Sequence, residues 1–178
     1  ADDNAETILL NLTRGTGLKG LTGIPALNGK FLRPLLPFSS DEILHYAQEN
    51  HIDFRTDQTN FSEKYQRNKI RLAILPQLQE INPSLIATLT KNIAHFQQQF
   101  AFYQREINKK MQSICVKNAD SLLISIEKLQ NEPDQSILLY ETLKPYGFSS
   151  NTTEEILTAI DGTNIGQLFF SPTHQLLK

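Results

Sequence analysis

Tryptophan is absent, cysteine and methionine occur once each, and no apolar run approaches the roughly 18 residues needed to cross a bilayer. The lone Cys115 excludes an intrachain disulfide framework and any multi-cysteine zinc site, and it fits a cytoplasmic setting. The four histidines, His45, His51, His95 and His174, show no metal-ligand spacing, so no metal site is expected. Neither sign of charge dominates, since the formal net charge is −2. Internal repeats and low-complexity stretches are also missing. With 39% hydrophobic and 20% charged residues, the 178-residue chain is neither disordered nor fibrous, and it is long enough for one ordinary domain or two small ones.

The small net charge hides segregation. Between residues 91 and 117 stand Lys91, Arg105, Lys109, Lys110 and Lys117 against Glu106 alone. Residues 118–178 hold eight acids and three lysines. Such a division suits a chain with one face toward a polyanion, and equally an ordinary solvated helix face. The chain opens Ala-Asp-Asp-Asn without an initiator Met and closes on Leu176-Leu177-Lys178 without a stop signal, so it is expected to be a fragment of a longer protein.

The elements are mostly helical. Asp3-Asn4-Ala5-Glu6 has capping-box spacing before Ile8, Leu9, Leu10 and Leu12, which predicts a helix over about 4–14 closed by Gly15. A glycine-rich loop follows to residue 30, then an extended Phe31–Leu36. Ser39 or Ser40 caps a helix to about Asn50. Residues 51–62 read as loop, with a short strand at Ile52–Arg55. A helix over Phe61–Leu78 is interrupted near Pro76. Leu89, Ile93, Phe96, Phe100, Tyr103, Ile107, Met111 and Ile114 recur at steps of three or four and mark a long amphipathic helix over about 83–116. His95 reads as a partly buried residue of that helix, and Cys115 as a packed thiol. A strand at Leu122–Ile126, helices near 135–144 and 153–160, and a β-hairpin around Ser171-Pro172-Thr173-His174 complete the reading. The fold class is mainly α with a few short strands.

Three clusters could carry chemistry. Gly15-Thr16-Gly17-Leu18-Lys19-Gly20 spells the dinucleotide fingerprint, but that fingerprint needs a strand before it and a helix after it. Here a helix precedes and a loop follows, so the nicotinamide reading is rejected. Asp3 and Glu6 leave one side of the first helical turn. They could hold Mg²⁺ through water or meet an ammonium group, or they could simply cap the helix at its positive end. Arg67 and Arg71, within Lys64-Tyr65-Gln66-Arg67-Asn68-Lys69-Ile70-Arg71, share a helix face and suit phosphate. The same run could be a solvated face paired with Glu63 and Asp57.

In order along the chain come Asp2-Asp3-Asn4-Ala5-Glu6-Thr7, Thr13-Arg14-Gly15-Thr16-Gly17-Leu18-Lys19-Gly20-Leu21, Arg33-Pro34-Leu35-Leu36, Asp57-Gln58-Thr59-Asn60 and Arg67-Asn68-Lys69-Ile70-Arg71. With these motifs the sequence resembles the tRNA(Ile)-lysidine synthases, bacterial members of the PP-loop ATP pyrophosphatase group. The resemblance covers residues 1–76 closely, extends to the long helix, and loosens beyond residue 117. The family's Ser-Gly-Gly-x-Asp-Ser phosphate loop is not in this sequence, and Asn4 stands where the family usually has Gln.

The resemblance implies the C-terminal remnant of an α/β PP-loop domain (adenine nucleotide α-hydrolase-like) over residues 1–75. A central helical domain with a small terminal β-hairpin would follow over 76–178. It implies ATP with Mg²⁺, L-lysine and an isoleucine tRNA as reaction partners, and no membrane. The expected catalytic residues are Asp3, Glu6 and Arg71. Arg14, Asp57, Asn60, Arg67 and Asn68 would bind substrate, and Lys91, Arg105, Lys109 and Lys110 would track the tRNA backbone. Another PP-loop tRNA-modifying enzyme of thiolase type, or a non-catalytic helical RNA-binding module, are the alternatives. Loss of neighbouring strands would leave apolar surface on helix 1 and on 31–36, so a homodimer is also expected.

Overall fold

The computed structural model describes residues 1–55 and 65–178. Two compact units divide inside the long helix, between Ala101 and Phe102. Helices dominate, and the described strands form three two-stranded antiparallel ribbons. No helix among the described residues is long and apolar enough to cross a membrane.

The first unit begins with α1, Asp2–Arg14, which starts two residues before the capping pattern predicts. Ala1 stands at the cap position and no side chain caps the helix. The expected box therefore does not form, because the Asp3 and Glu6 carboxylates are drawn to arginines far along the chain. Ala5 and Ile8 are buried on the inward face, and Leu9 and Leu10 pack against the same cluster as Ile70 and Leu75. Gly15, at φ 76°, ends α1 in a conformation that costs glycine little.

A 3-10 turn at Leu18–Thr22 follows, then a minimal ribbon of β1, Leu27–Asn28, and β2, Phe31–Leu32. The glycine-rich loop is tied down at two points. Asn11 Nδ2 donates to the Gly20 carbonyl at 2.9 Å, and the Ile24 amide donates to Asn4 Oδ1 at 2.7 Å. Gly23, at φ 70°, passes so close to Asn4 that a Cβ would sit 2.8 Å from Oδ1. The helix ahead of Gly15 is the structural reason the dinucleotide fingerprint has no phosphate-binding context here.

Helix α2, Ser40–Glu49, carries the capping box that α1 lacks. Ser39 Oγ accepts from the Glu42 amide, while Glu42 accepts from the Ser39 amide. Residues 52–55 form no strand, contrary to expectation. The predicted helix start at Phe61 lies outside the described residues.

Helix α3, Tyr65–Lys69, runs into a wide turn over Ile70–Ile74 and then α4, Leu75–Ile81. The Leu75 amide bonds to the Ile70 carbonyl, a five-residue step instead of four. Pro76 explains it: its ring would press on the carbonyl four residues back, and it has no N–H to offer. Widening the turn relieves the clash without ending the helix.

Helix α5, Leu85–Ile114, spans 30 residues, slightly shorter than its periodicity suggests. In the second unit its Ile107 and Ile114 join Leu129, Leu138, Leu139, Leu143, Phe148, Ile156 and Ile160 in one core. The chain then forms β3, Cys115–Lys117, paired with β4, Leu122–Ile124. Helices α6, Ile126–Gln130, α7, Gln135–Leu143, and α8, Ser150–Asp161, complete the helical layer. Ser125 and Ser149 accept backbone N–H groups at the starts of α6 and α8.

The terminal hairpin pairs β5, Leu168–Phe170, with β6, Gln175–Leu177, in the register Leu168↔Leu177. Phe169 and Leu176 face the core while Leu168, Phe170 and Leu177 face outward. Ser171 Oγ donates to the Tyr146 carbonyl at 2.7 Å and anchors the hairpin's turn.

Candidate active site

One buried charge organises the first unit. Glu6 has no solvent exposure, and a carboxylate in that position needs compensation at both oxygens. Arg67 Nε donates to Oε2 at 2.7 Å and Arg71 Nε donates to Oε1 at 2.6 Å. Asp3, one helical turn earlier and mostly exposed, accepts from Arg67 Nη2 at 2.9 Å and lies 3.7 Å from Arg71 Nη2. The Glu6 bonds and the Asp3 charge raise the Arg71 pKa, with the Glu6 hydrogen bond the largest cause and desolvation opposing it. The guanidinium is therefore a fixed cation across the whole accessible pH range.

Local geometry makes this cluster. Asp3 and Glu6 are three apart on α1 and share a face, and Arg67 on α3 and Arg71 in the wide turn both reach Glu6. Ala5 and Ile70 are buried beside it, which brings the two backbones close. Arg14, at the last turn of α1, donates from Nη2 to Gln66 Oε1 at 2.9 Å. Gln66 was not singled out from the sequence; it stands beside Arg67, and only the fold shows it holding Arg14.

Thus α1, α3 and the wide turn bring together Asp3, Glu6, Arg67 and Arg71, while Arg14 contacts Gln66, the neighbour of Arg67, and Asn68 lies on the same short helix α3. Asp57, Asn60 and Glu63 lie outside the described residues. Metal binding by Asp3 and Glu6 does not fit this arrangement, since two arginines occupy the carboxylates, and no described cluster of three His, Cys, Asp or Glu side chains could hold an ion.

The basic residues of α5 divide. Lys91 is exposed in the first unit, and Arg105 and Lys109 are exposed in the second. Arg105 lies 5.9 Å from the centre of the Phe102 ring. Lys110 is not a free cation: Nζ lies 2.5 Å from Glu132 and 3.7 Å from Asp134. The Glu132 bond, followed by the charges of both acids, raises its pKa despite opposing desolvation. His95 is exposed, not partly buried as the helix pattern suggests. Cys115 is half-buried against the second core, and burial pushes its thiol up.

Comparison with known proteins matches most of the chain to two family models. Residues 1–78 match the model of the PP-loop domain, and residues 117–178 match that of the TilS substrate binding domain. The curated tRNA(Ile)-lysidine synthase of Parabacteroides distasonis is 40% identical over 99% of this chain and 40% of its own length. That of Bacteroides thetaiotaomicron shows the same figures. That of Clostridium perfringens is 40% identical over 71% of the chain and 28% of its own length. The chain thus spans about two-fifths of the length of the first two relatives.

Proposed function

We propose that this chain, which belongs to the tRNA(Ile)-lysidine synthase family, serves as part of an enzyme that ligates lysine to the wobble cytidine of an isoleucine tRNA with a CAU anticodon. In this reading residues 1–75 close the catalytic domain and 76–178 form the helical domain. Cytidine O2 attacks the α-phosphorus of ATP, and pyrophosphate leaves. The lysine ε-amine, having lost its ammonium proton, then forms a C–N bond to carbon 2, and the C2–O2 bond breaks with release of AMP.

The observation that supports the reading is the cluster of Asp3, Glu6, Arg67 and Arg71, where fixed cations and an exposed carboxylate stand within one helical turn. Arg71 would stabilise charge developing on the phosphate or cytidine. Asp3, the exposed carboxylate, suits the lysine ammonium. Arg67 and Asn68 would support that corner, Arg14 would bind substrate at its edge, and Asp57 and Asn60 keep their expected substrate-binding role in this reading. Mg²⁺ would arrive on the phosphates of ATP, because Asp3 and Glu6 are already bonded to arginines. Arg105, Lys109 and Lys91 would meet tRNA phosphates, which require cations at suitable spacing and little else.

A cytoplasmic location and self-association through exposed Phe31, Leu32 and Leu35 belong to the same reading. Light scattering showing a concentration-independent monomer would remove the second of these. The functional test is incorporation of labelled lysine into a CAU-anticodon isoleucine tRNA by the full-length protein. ATP-dependent labelling supports the reading. Sulfur transfer to the tRNA would favour the thiolase alternative, and binding without any chemistry the RNA-binding module.

A further inference from the structure

We infer that Glu6 is a positioning residue that aligns Arg67 and Arg71, and that it does not take a proton from the substrate. The inference rests on the function proposed above and assigns the two carboxylates different jobs. Glu6 is completely buried, and each of its oxygens accepts an Nε–H bond from a different arginine, at 2.6 and 2.7 Å. A group reached by no solvent and held on both oxygens by permanent cations is poorly placed to meet a substrate ammonium or carry off its proton.

The same bonds fix the arginines. Arg67 offers its Nε edge to Glu6 and Nη2 to Asp3. Arg71 offers Nε to Glu6, with Nη2 3.7 Å from Asp3. A guanidinium is a rigid planar fork, so binding it through the Nε edge sets its plane and turns Nη1 away from both carboxylates. Arg71 needs this hold more than most helical arginines, because it sits in the wide turn imposed by Pro76, where the backbone alone does not set α-helical side-chain spacing. The side chains of Arg67 and Arg71 are 31% and 46% exposed, so both can meet a ligand while being held from behind.

The test uses the full-length protein, with lysidine formation as the readout. Glu6→Gln and Glu6→Asp are each expected to lower kcat by about tenfold or more, the first by losing charge and the second by drawing both oxygens back from the arginines. The pH–rate profile of Glu6→Gln is expected to keep the wild-type shape at a lower level. A double variant with Arg71→Ala is expected to be no more than about threefold slower than Arg71→Ala alone, because residues acting as one unit are not additive. Multiplying losses, loss of the acid limb in Glu6→Gln, or full rescue by Glu6→Asp would overturn the inference. Should the variants fail to fold, arginine Nε–H NMR signals of the unmutated chain decide it. Two slowly exchanging signals are expected, and exchange of both at the rate of free arginine would contradict the clamp. If the unmutated enzyme makes no lysidine, the functional reading fails while these signals still judge the clamp.

Discussion

Across 65 residues of sequence, Arg71 Nε donates to Glu6 Oε1 at 2.6 Å. Glu6 is the buried partner, so its removal leaves two arginines without their main acceptor, although both can recover some hydration. Glu6→Ala is expected to destabilise the chain by about 3 kcal/mol, the low end for breaking a buried pair. Arg14→Ala, which removes an exposed bond to Gln66, should stay within about 0.5 kcal/mol. Urea unfolding of both variants checks the contrast, and equal midpoints would refute it.

Arg105 and Lys109 should behave differently from Lys110 toward tRNA. Replacing either of the first two by Ala is expected to weaken tRNA binding at low salt and reduce the salt slope by about 1. Lys110→Ala should leave the slope nearly unchanged, because Nζ already serves Glu132 and Asp134. Filter binding across a salt series separates these outcomes. A slope that falls for Lys110→Ala alone would reverse the assignment.

Cys115 offers a pH-dependent reading of the second unit. Burial raises its thiol pKa, so the folded chain prefers the neutral thiol. That preference contributes stability below the unfolded thiol value, about 8.5, and is lost as pH rises through the folded value. Native alkylation at pH 8 is expected to be slower than alkylation in urea. Equal rates would mean the thiol is not protected.

The chain by itself is expected not to bind ATP with micromolar affinity. Its sequence holds no Ser-Gly-Gly-x-Asp-Ser loop to offer backbone N–H groups to the phosphates, and Gly15–Gly20 follows a helix instead of a strand. Isothermal calorimetry on residues 1–178 measures this directly. A micromolar dissociation constant would show that another part of the chain binds the nucleotide.

Much of the fold was legible because local patterns agreed with the packing. The repeated apolar positions from Leu89 to Ile114 mark α5, and Ser171-Pro172-Thr173-His174 marks the turn between β5 and β6. The misreadings arose where one pattern serves two geometries. A three-residue spacing of Asp3 and Glu6 fits a capping box and also a pair of carboxylates on one face, and only Arg67 and Arg71 decide between them. Strand β3 was missed because the helical period runs unbroken to Ile114, and only the pairing Cys115↔Ile124 stops it there. The wide turn was half-visible, since Pro76 announces an interruption but not whether the helix breaks or widens. Pairing of Lys110 depends on Glu132, 22 residues away, and no local spacing signals it.

The most direct measurement is nucleoside mass spectrometry of a CAU-anticodon isoleucine tRNA incubated with ATP, lysine and the full-length protein, comparing the unmutated enzyme with Arg71→Ala. Lysidine is expected from the unmutated enzyme, with formation reduced about ten- to a hundredfold by Arg71→Ala, the loss of one charge-assisted contact of about 1.5–3 kcal/mol. Absence of lysidine with the unmutated enzyme, or undiminished lysidine with Arg71→Ala, would contradict the account.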